Sequence, residues 1–294
     1  MKNISFLREI LIKEYGEKIT DQIMKNDKRK STFRVNTLRI DTTKVKEILN
    51  QNQIIFEEVP WYKDAFIIEN EEKVRSLDLY KEGKIYFQSL SSMLPAYLLH
   101  PKEKEQILDM AASPGGKTMF MYVLSFGKAL ITACEKNKIR YDKMKFNFDK
   151  QGMKNITTLC TDALKLDDFF SFDKILLDSP CSGSGTILLS DEKTYQYFTF
   201  DLIERCENLQ YSLLKKAIHL LKPNHEMIYS TCSILKEENE EMIKKVLKEE
   251  NIEIVPIDLD ESIRTLPSTI EGVKTIFPNE LYEGFFIAKI KKIS

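Results

Sequence analysis

The chain has 294 residues, with 44 Lys and Arg against 45 Asp and Glu, a formal charge of −1, and enough hydrophobic residues (43%) to bury a sizeable core. The length suits one large domain or a core with a smaller partner, and the near-neutral balance excludes a protein held to nucleic acid by bulk charge alone. No apolar stretch approaches the roughly 18 uncharged residues of a membrane span. Charges at Lys2, Arg8, Glu9, Lys13 and Glu14 break the apolar centre that a signal peptide would need between Met1 and Glu17. The expectation is a cytoplasmic protein. Five cysteines without a C-x-x-C pair indicate neither a disulfide framework nor a zinc site, and the three histidines form no spaced cluster, so no metal is expected.

Up to about Lys84 the pattern reads as a small mixed unit. Ile4, Leu7, Ile10 and Leu11 recur at helical spacing, and Phe33 to Ile40 alternates as a strand does. Asp41 or Thr42 can cap a helix carrying Val45, Ile48 and Leu49. Strand-like Ile54 to Val59 and Ala65 to Glu69 flank Trp61. From Ile85 onward apolar strands alternate with amphipathic helices, the pattern of a parallel sheet covered on both faces. The strands are Gln106 to Ala111, Ala129 to Glu135, Ile156 to Asp162, Lys174 to Pro180, Glu226 to Ser233, Ile252 to Ile257 and Phe285 to Ile290. Asp201 with Glu204 resembles a capping box opening a helix whose apolar stripe runs from Leu202 through Cys206, Leu213 and Ala217 to Leu221. Charges from Glu237 to Glu250 read as a solvated helix face. The predicted organisation is a small N-terminal α+β domain over residues 1–84, followed by an α/β, Rossmann-like domain over 85–294.

Three segments carry residues suited to chemistry. Asp109 to Thr118 follows a strand and opens a helix, with Ala111, Ala112, Ser113, Pro114, Gly115 and Gly116 small enough to let backbone approach a ligand. Pro114, Gly115 and Gly116 are equally explained by a tight turn. A phosphate loop of the G-x-x-x-x-G-K-S/T type is excluded, because Ala111 holds the position of the first glycine before Lys117. Glu135 and Asp162 end the next two strands, where such folds bind a ribose diol and where capping carboxylates are also common. Arg140, on the helix after Glu135, is either a ligand or a surface residue.

The fourth strand of this region ends in Asp178, Ser179, Pro180 and Cys181, and a later one in Thr231 and Cys232. Both thiols thus sit at the same rim of the sheet, among small residues and unpaired amides that favour a lowered pKa and nucleophilicity. Cys134, Cys160 and Cys206 lie in apolar runs and read as buried hydrophobes. A basic stretch with six cations, among them Lys28, Arg29, Lys30 and Arg34, against Asp27 carries a local charge of +5. It is either a solvated face or a phosphate-contacting surface.

Asp109 to Thr118, Asp178 to Gly185 and Tyr229 to Ser233 resemble three hallmark blocks of the Nop/Sun RNA cytosine-5 methyltransferases. Phe33 to Arg39, Phe87 to Met93 and Gly284 to Ala288 extend the resemblance over most of the chain, although Pro278 to Glu283 lacks the histidine often found before the last block. The resemblance implies an S-adenosylmethionine-dependent methyltransferase fold with RNA (tRNA or rRNA) as substrate; a monomer is expected. It further implies that Ala111 to Lys117, Glu135, Asp162 and Asp178 line the cofactor, and Arg140 is expected beside them. Cys232 would be the nucleophile, Cys181 would assist release, and Asp178 would also meet the base. Lys28, Arg29, Lys30 and Arg34 would position the RNA. Two other readings compete: a DNA cytosine methyltransferase with Cys181 as nucleophile, and a non-catalytic RNA-binding assembly factor.

Overall fold

The computed structural model describes residues 2–25 and 28–294; Met1 and Asp27, used above, lie outside the described residues. The N-terminal segment opens with helices α1 (Lys2–Tyr15) and α2 (Glu17–Ile23). A four-stranded antiparallel sheet follows, built from β1 (Ser31–Val35), β2 (Phe56–Val59), β3 (Tyr62–Ile68) and β4 (Ile85–Phe87) in the order β2-β3-β1-β4. Helices α3 (Thr42–Gln51), α4 (Glu71–Ser76) and α5 (Asp78–Lys81) lie between these strands. Asp41 caps α3 by accepting from the Thr43 N–H. Strand β1 stops at Val35, short of the expected Ile40, because Arg39 and Ile40 turn back to donate to the Asn36 carbonyl.

The larger unit contains β5 (Gln106–Asp109), β6 (Leu130–Cys134), β7 (Thr157–Leu159), β8 (Phe172–Asp178), β9 (Leu221–Thr231), β10 (Ile252–Val255), β11 (Thr265–Leu266), β12 (Lys274–Ile276) and β13 (Phe285–Lys292). Its helices are α6 (Leu90–Leu99), α7 (Gly116–Leu124), α8 (Lys138–Gln151), α9 (Phe200–Leu220) and α10 (Glu240–Glu249). Strands β9-β8-β5-β6-β7 are parallel, as alternation predicts, and the order reverses between β5 and β8. The rest departs from that pattern. β13 runs antiparallel against β9, and its far edge is shared end to end by β12 and β10.

Side-chain alternation decides which face each helix covers. Ile107, Leu176, Ile228 and Ile287 point to one face and pack with Met93, Phe120 and Phe148 of α6, α7 and α8. Their neighbours Leu108, Ile175, Met227 and Phe286 point to the other and meet Leu214, Ile218 and Ile243 of α9 and α10. Helix α9 starts two residues before the expected capping box: Thr199, in extended conformation, accepts from the Leu202 N–H, while Asp201 already lies in the first turn.

The N-terminal segment is fastened to the larger unit at several places. Leu7, Leu11 and Tyr15 of α1 pack on Ile203, Ile234 and Phe277, and the Tyr15 hydroxyl donates to the Ile234 carbonyl at 2.6 Å. Strand β4, read in sequence as the start of the second unit, instead completes the small sheet. Gln151 of α8 donates to the Ile85 carbonyl at 2.9 Å. Among the described residues no helix is long and apolar enough to cross a membrane.

The loop after β8 and the entry to β13 touch backbone to backbone. Gly185 donates to the Cys232 carbonyl at 3.0 Å and accepts from the Gly284 N–H at 2.9 Å. A Cβ at Gly185 would lie 2.0 Å from the Gly284 oxygen, closer than any real contact. Gly185→Ala must therefore push two backbones apart, at a cost of about 1–3 kcal/mol. Chemical denaturation should show a lower midpoint at unchanged slope; an unchanged midpoint would mean the loops separate freely.

Candidate active site at the carboxyl ends of the parallel strands

Asp109 and Asp178 end β5 and β8, paired strands on either side of the reversal, and the crevice there is where open α/β sheets take their ligands. The loop leaving β5 is fixed before any ligand arrives. Ala112 donates to the Cys134 carbonyl at 2.9 Å, and Gly115 caps α7 with a left-handed φ of 101°. A Cβ there would sit 2.6 Å from the Phe148 ring, so the position needs glycine both for its φ and for its space. Ser113 and Arg140 exchange bonds, the Ser113 hydroxyl donating to the Arg140 carbonyl at 2.8 Å and the guanidinium to the Ser113 carbonyl at 3.1 Å.

One wall of the crevice carries the carboxylates expected from sequence. Glu135 is 5% exposed and accepts from the Asn137 N–H at 2.8 Å; its other oxygen lies 3.3 Å from Arg140 Nε. Asp162 caps a short turn, accepting from the Leu164 N–H at 3.1 Å. Each therefore serves as a local cap while it lines the same cavity as Ala111, Ser113, Asp178 and the two rim thiols.

Lys117 and Asp178 form the electrostatic centre. Lys117 Nζ lies 2.6 Å from Asp178 Oδ2 and 2.8 Å from the Ser92 hydroxyl, with side-chain exposures of 13% and 26% for the ion pair. Burial pulls the Lys117 pKa down, but attraction and hydrogen bonding to Asp178, with help from Asp109 and Cys232, outweigh it and hold the amine above its ordinary value. Asp178 Oδ1 accepts from the Ser230 hydroxyl at 2.8 Å. Burial pushes the Asp109 carboxyl up to about 7, against the bond donated by Thr118 and with repulsion from Asp178 adding to it.

The sulfurs of Cys181 and Cys232 are 3.0 Å apart. The Cys181 pKa is raised well above that of an ordinary thiol, first by its hydrogen bond to Cys232 and then by burial, with repulsion from Cys232 and Glu238 adding. A proton on Cys181 directed at Cys232 is the arrangement these effects favour.

Several expectations are corrected here. Arg34, expected on an RNA surface, is 0% exposed: it donates to Gln88 Oε1 and the Gly116 carbonyl, both at 2.9 Å, and lies over the Tyr86 and Phe120 rings. Arg29 spends its guanidinium on the Gly185 and Thr186 carbonyls, at 3.1 and 3.0 Å, because its chain passes beside that loop. Lys28 and Lys30 are exposed, Lys30 lying 3.9 Å from Glu57. Cys160 is exposed because β7 ends one residue before it, whereas Cys134 and Cys206 are buried as expected. The stretch from Glu237 is not wholly a solvated face, since Glu238, Asn239 and Glu240 are buried.

Glu238 and Asn239 are functional candidates that the sequence reading missed. Glu238 bonds to Ser182 and Ser233, and Asn239 accepts from the Thr231 hydroxyl at 2.5 Å while donating to the Ser233 carbonyl at 2.9 Å. The available signal was a serine after each rim cysteine, a donor needing a nearby acceptor.

A sequence profile for the 16S rRNA methyltransferase RsmB/F family matches residues 96–291, and one for the N-terminal domain of 16S rRNA methyltransferase RsmF matches residues 4–90. The chain is 33% identical over 279 residues to ribosomal RNA small subunit methyltransferase F of Shewanella loihica, covering 90% of this chain and 56% of that protein. It is 36% identical over 222 residues to tRNA (cytosine(72)-C(5))-methyltransferase of Pyrococcus horikoshii, covering 74% and 54%. The chain thus spans about half the length of these relatives. Among solved structures, a methyltransferase homolog protein from Pyrococcus horikoshii superposes with TM-score 0.82 at 34% identity, over 95% of this chain and 92% of that one. NSun6 from the same organism, solved with SFG, gives 0.88 at 25% identity over 98% of each chain. By profile, sequence and fold together, the chain belongs to the RsmB/F (Nop/Sun) family of RNA cytosine-5 methyltransferases.

Proposed function

We propose that this chain methylates carbon 5 of a cytosine in transfer or ribosomal RNA, using S-adenosylmethionine and a covalent adduct on Cys232. The observation that carries this is the pair of sulfurs 3.0 Å apart in the cavity that also holds Asp178, the partner of Lys117. Two thiols in contact suit a reaction that must form one carbon–sulfur bond and later break it.

The crevice fits the cofactor on its donor set. Glu135 and Asp162 suit a ribose diol and a nucleoside edge, and the buried hydroxyl of Ser179, in the lining of the same cavity, has no partner among the described residues, leaving it for a polar ligand. Ala111 to Lys117 would line the methionine end, with Arg140 bracing Glu135. When bound, S-adenosylmethionine supplies a methyl group on a cationic sulfur.

The chain's own residues do the rest. Cys232 adds as thiolate to carbon 6 of an unpaired or flipped cytosine, which makes carbon 5 electron-rich. The Lys117 and Asp178 pair faces the charge that this addition moves into the ring. Once carbon 5 has been alkylated, a base takes its proton and the electron pair of that carbon–hydrogen bond re-forms the carbon 5–carbon 6 double bond. The electron pair of the carbon–sulfur bond then returns to Cys232, and the Cys181 thiol stabilises that departing thiolate. On the RNA side, Lys28 and Lys30 keep exposed ammonium groups for phosphate contact, a role that Arg29 and Arg34 no longer share.

Replacing Glu135 or Asp162 with Ala should weaken S-adenosylmethionine binding by roughly 1 to 3 kcal/mol in calorimetry, the value of a buried hydrogen bond to charge; unchanged affinity in both would move the cofactor elsewhere. Cys232→Ala should abolish methyl transfer and any covalent complex, whereas Cys181→Ala should form the bond and fail to break it, leaving a slow-migrating species on denaturing gels. The reverse pattern would make Cys181 the nucleophile.

A further inference from the structure

We propose that Glu238 is a positioning residue that holds Cys181 and Cys232 against each other, so that the second sulfur stays beside the first while the base is attached. This rests on the covalent-cysteine reaction proposed above, but its geometric part stands without RNA.

The two cysteines leave different strands, β8 and β9, whose register is set only as far as Asp178 and Ser230. Beyond that point the loops meet through the Gly185 N–H on the Cys232 carbonyl and the Ser184 and Ser233 hydroxyls, and one buried carboxyl group ties together the residues that directly follow the two thiols. Glu238 is 0% exposed. Its Oε1 accepts from the Ser182 N–H at 2.7 Å and from Gln210 Nε2 at 3.2 Å. Its Oε2 accepts from the Ser182 and Ser233 hydroxyls, both at 2.5 Å.

Ser182 follows Cys181 and Ser233 follows Cys232, so the residue after each thiol hangs on the same carboxyl. Gln210 also donates to the Pro180 carbonyl at 2.9 Å, which fixes the residue before Cys181. Asn239 supplies the matching bonds around Cys232, to Thr231 and Ser233. The carboxyl is in turn anchored through its own backbone, whose carbonyl accepts from the buried Tyr229 hydroxyl at 2.8 Å.

Four donors converge on two oxygens, matching the lone pairs of a carboxylate. Burial raises the Glu238 pKa, and the bonds from Ser182, Ser233 and Gln210 oppose that rise. A Gln at this position keeps one carbonyl for the Ser182 N–H and presents an amide to two hydroxyls that can rotate to accept, whereas Ala removes the shared anchor of Ser182 and Ser233.

The test uses the whole chain with diamide as oxidant. Forming each Cys181–Cys232 disulfide passes two electrons and two protons from the two thiols to one diamide, which is reduced to its hydrazine, and the linked peptide is followed by mass spectrometry. Wild type and Glu238→Gln should pair their thiols at similar rates. Glu238→Ala should be slower by about tenfold, the effect of losing hydrogen bonds to a buried charged acceptor. Ser182→Ala combined with Ser233→Ala, which leaves Glu238 in place, should be slowed comparably and guards against a folding defect in the first variant. On RNA, Glu238→Ala should accumulate the covalent complex and Glu238→Gln should release it. Thiol pairing at the wild-type rate in Glu238→Ala would overturn the proposal, as would equal slowing in Gln and Ala, which would show that charge and not the bonds matters. Absence of any RNA adduct in wild type would sink the reaction while the diamide rates still judged Glu238.

Discussion

The Lys117 and Asp178 ion pair, at 2.6 Å, joins the first turn of α7 to the end of β8 across the point where strand order reverses. Taking both charges out of water costs several kcal/mol apiece, and their attraction offsets this only when the geometry is complete. The surroundings show how completeness is reached. Ser92 and Ser230 each bond one partner, and Arg34 holds the Gly116 carbonyl immediately before Lys117. A residue of the small sheet thereby fixes a residue of the crevice, which gives the N-terminal segment a part in building the site.

The same principle explains the neighbourhood of the two thiols. Cys181 and Cys232 lie on loops that the sheet no longer aligns, and polar groups with long-range partners replace the ladder bonds. Gly185 reaches Cys232 and Gly284 through backbone alone, a contact that any side chain at Gly185 would block. Glu238 and Asn239 add side-chain bonds on both sides of Cys232. Such a network is costly to bury unless its members find partners, and its reward is position: the Cys181 sulfur held 3.0 Å from that of Cys232.

Much of the site could be read from sequence because its signals are local. The run of small residues before Lys117, the carboxylates at strand ends and the two rim cysteines follow from short motifs and strand periodicity. What escaped depends on partners far along the chain. Arg34 looks like one cation of a basic run, but its acceptors at Gln88 and Gly116 are 54 and 82 residues away, and they draw it inside. Glu238 is hidden in an acidic helix start, and its donors at Ser182 and Gln210 belong to other elements. Cys160 misled because β7 is a three-residue strand that ends before it. β10 and β13 could be read as strands, but their antiparallel direction escaped because a short apolar run does not reveal it, and the two- and three-residue β11 and β12 are too short to show a period.

The central claim is that the chemistry passes through carbon 6 of cytosine, and the identity of the product nucleoside tests it most directly. RNA methylated by the chain with labelled S-adenosylmethionine can be digested to nucleosides and resolved by mass spectrometry. The account predicts label in 5-methylcytidine, lost when Cys232 is replaced by Ala. Label on the exocyclic nitrogen of cytidine, or 5-methylcytidine formed undiminished without Cys232, would contradict it.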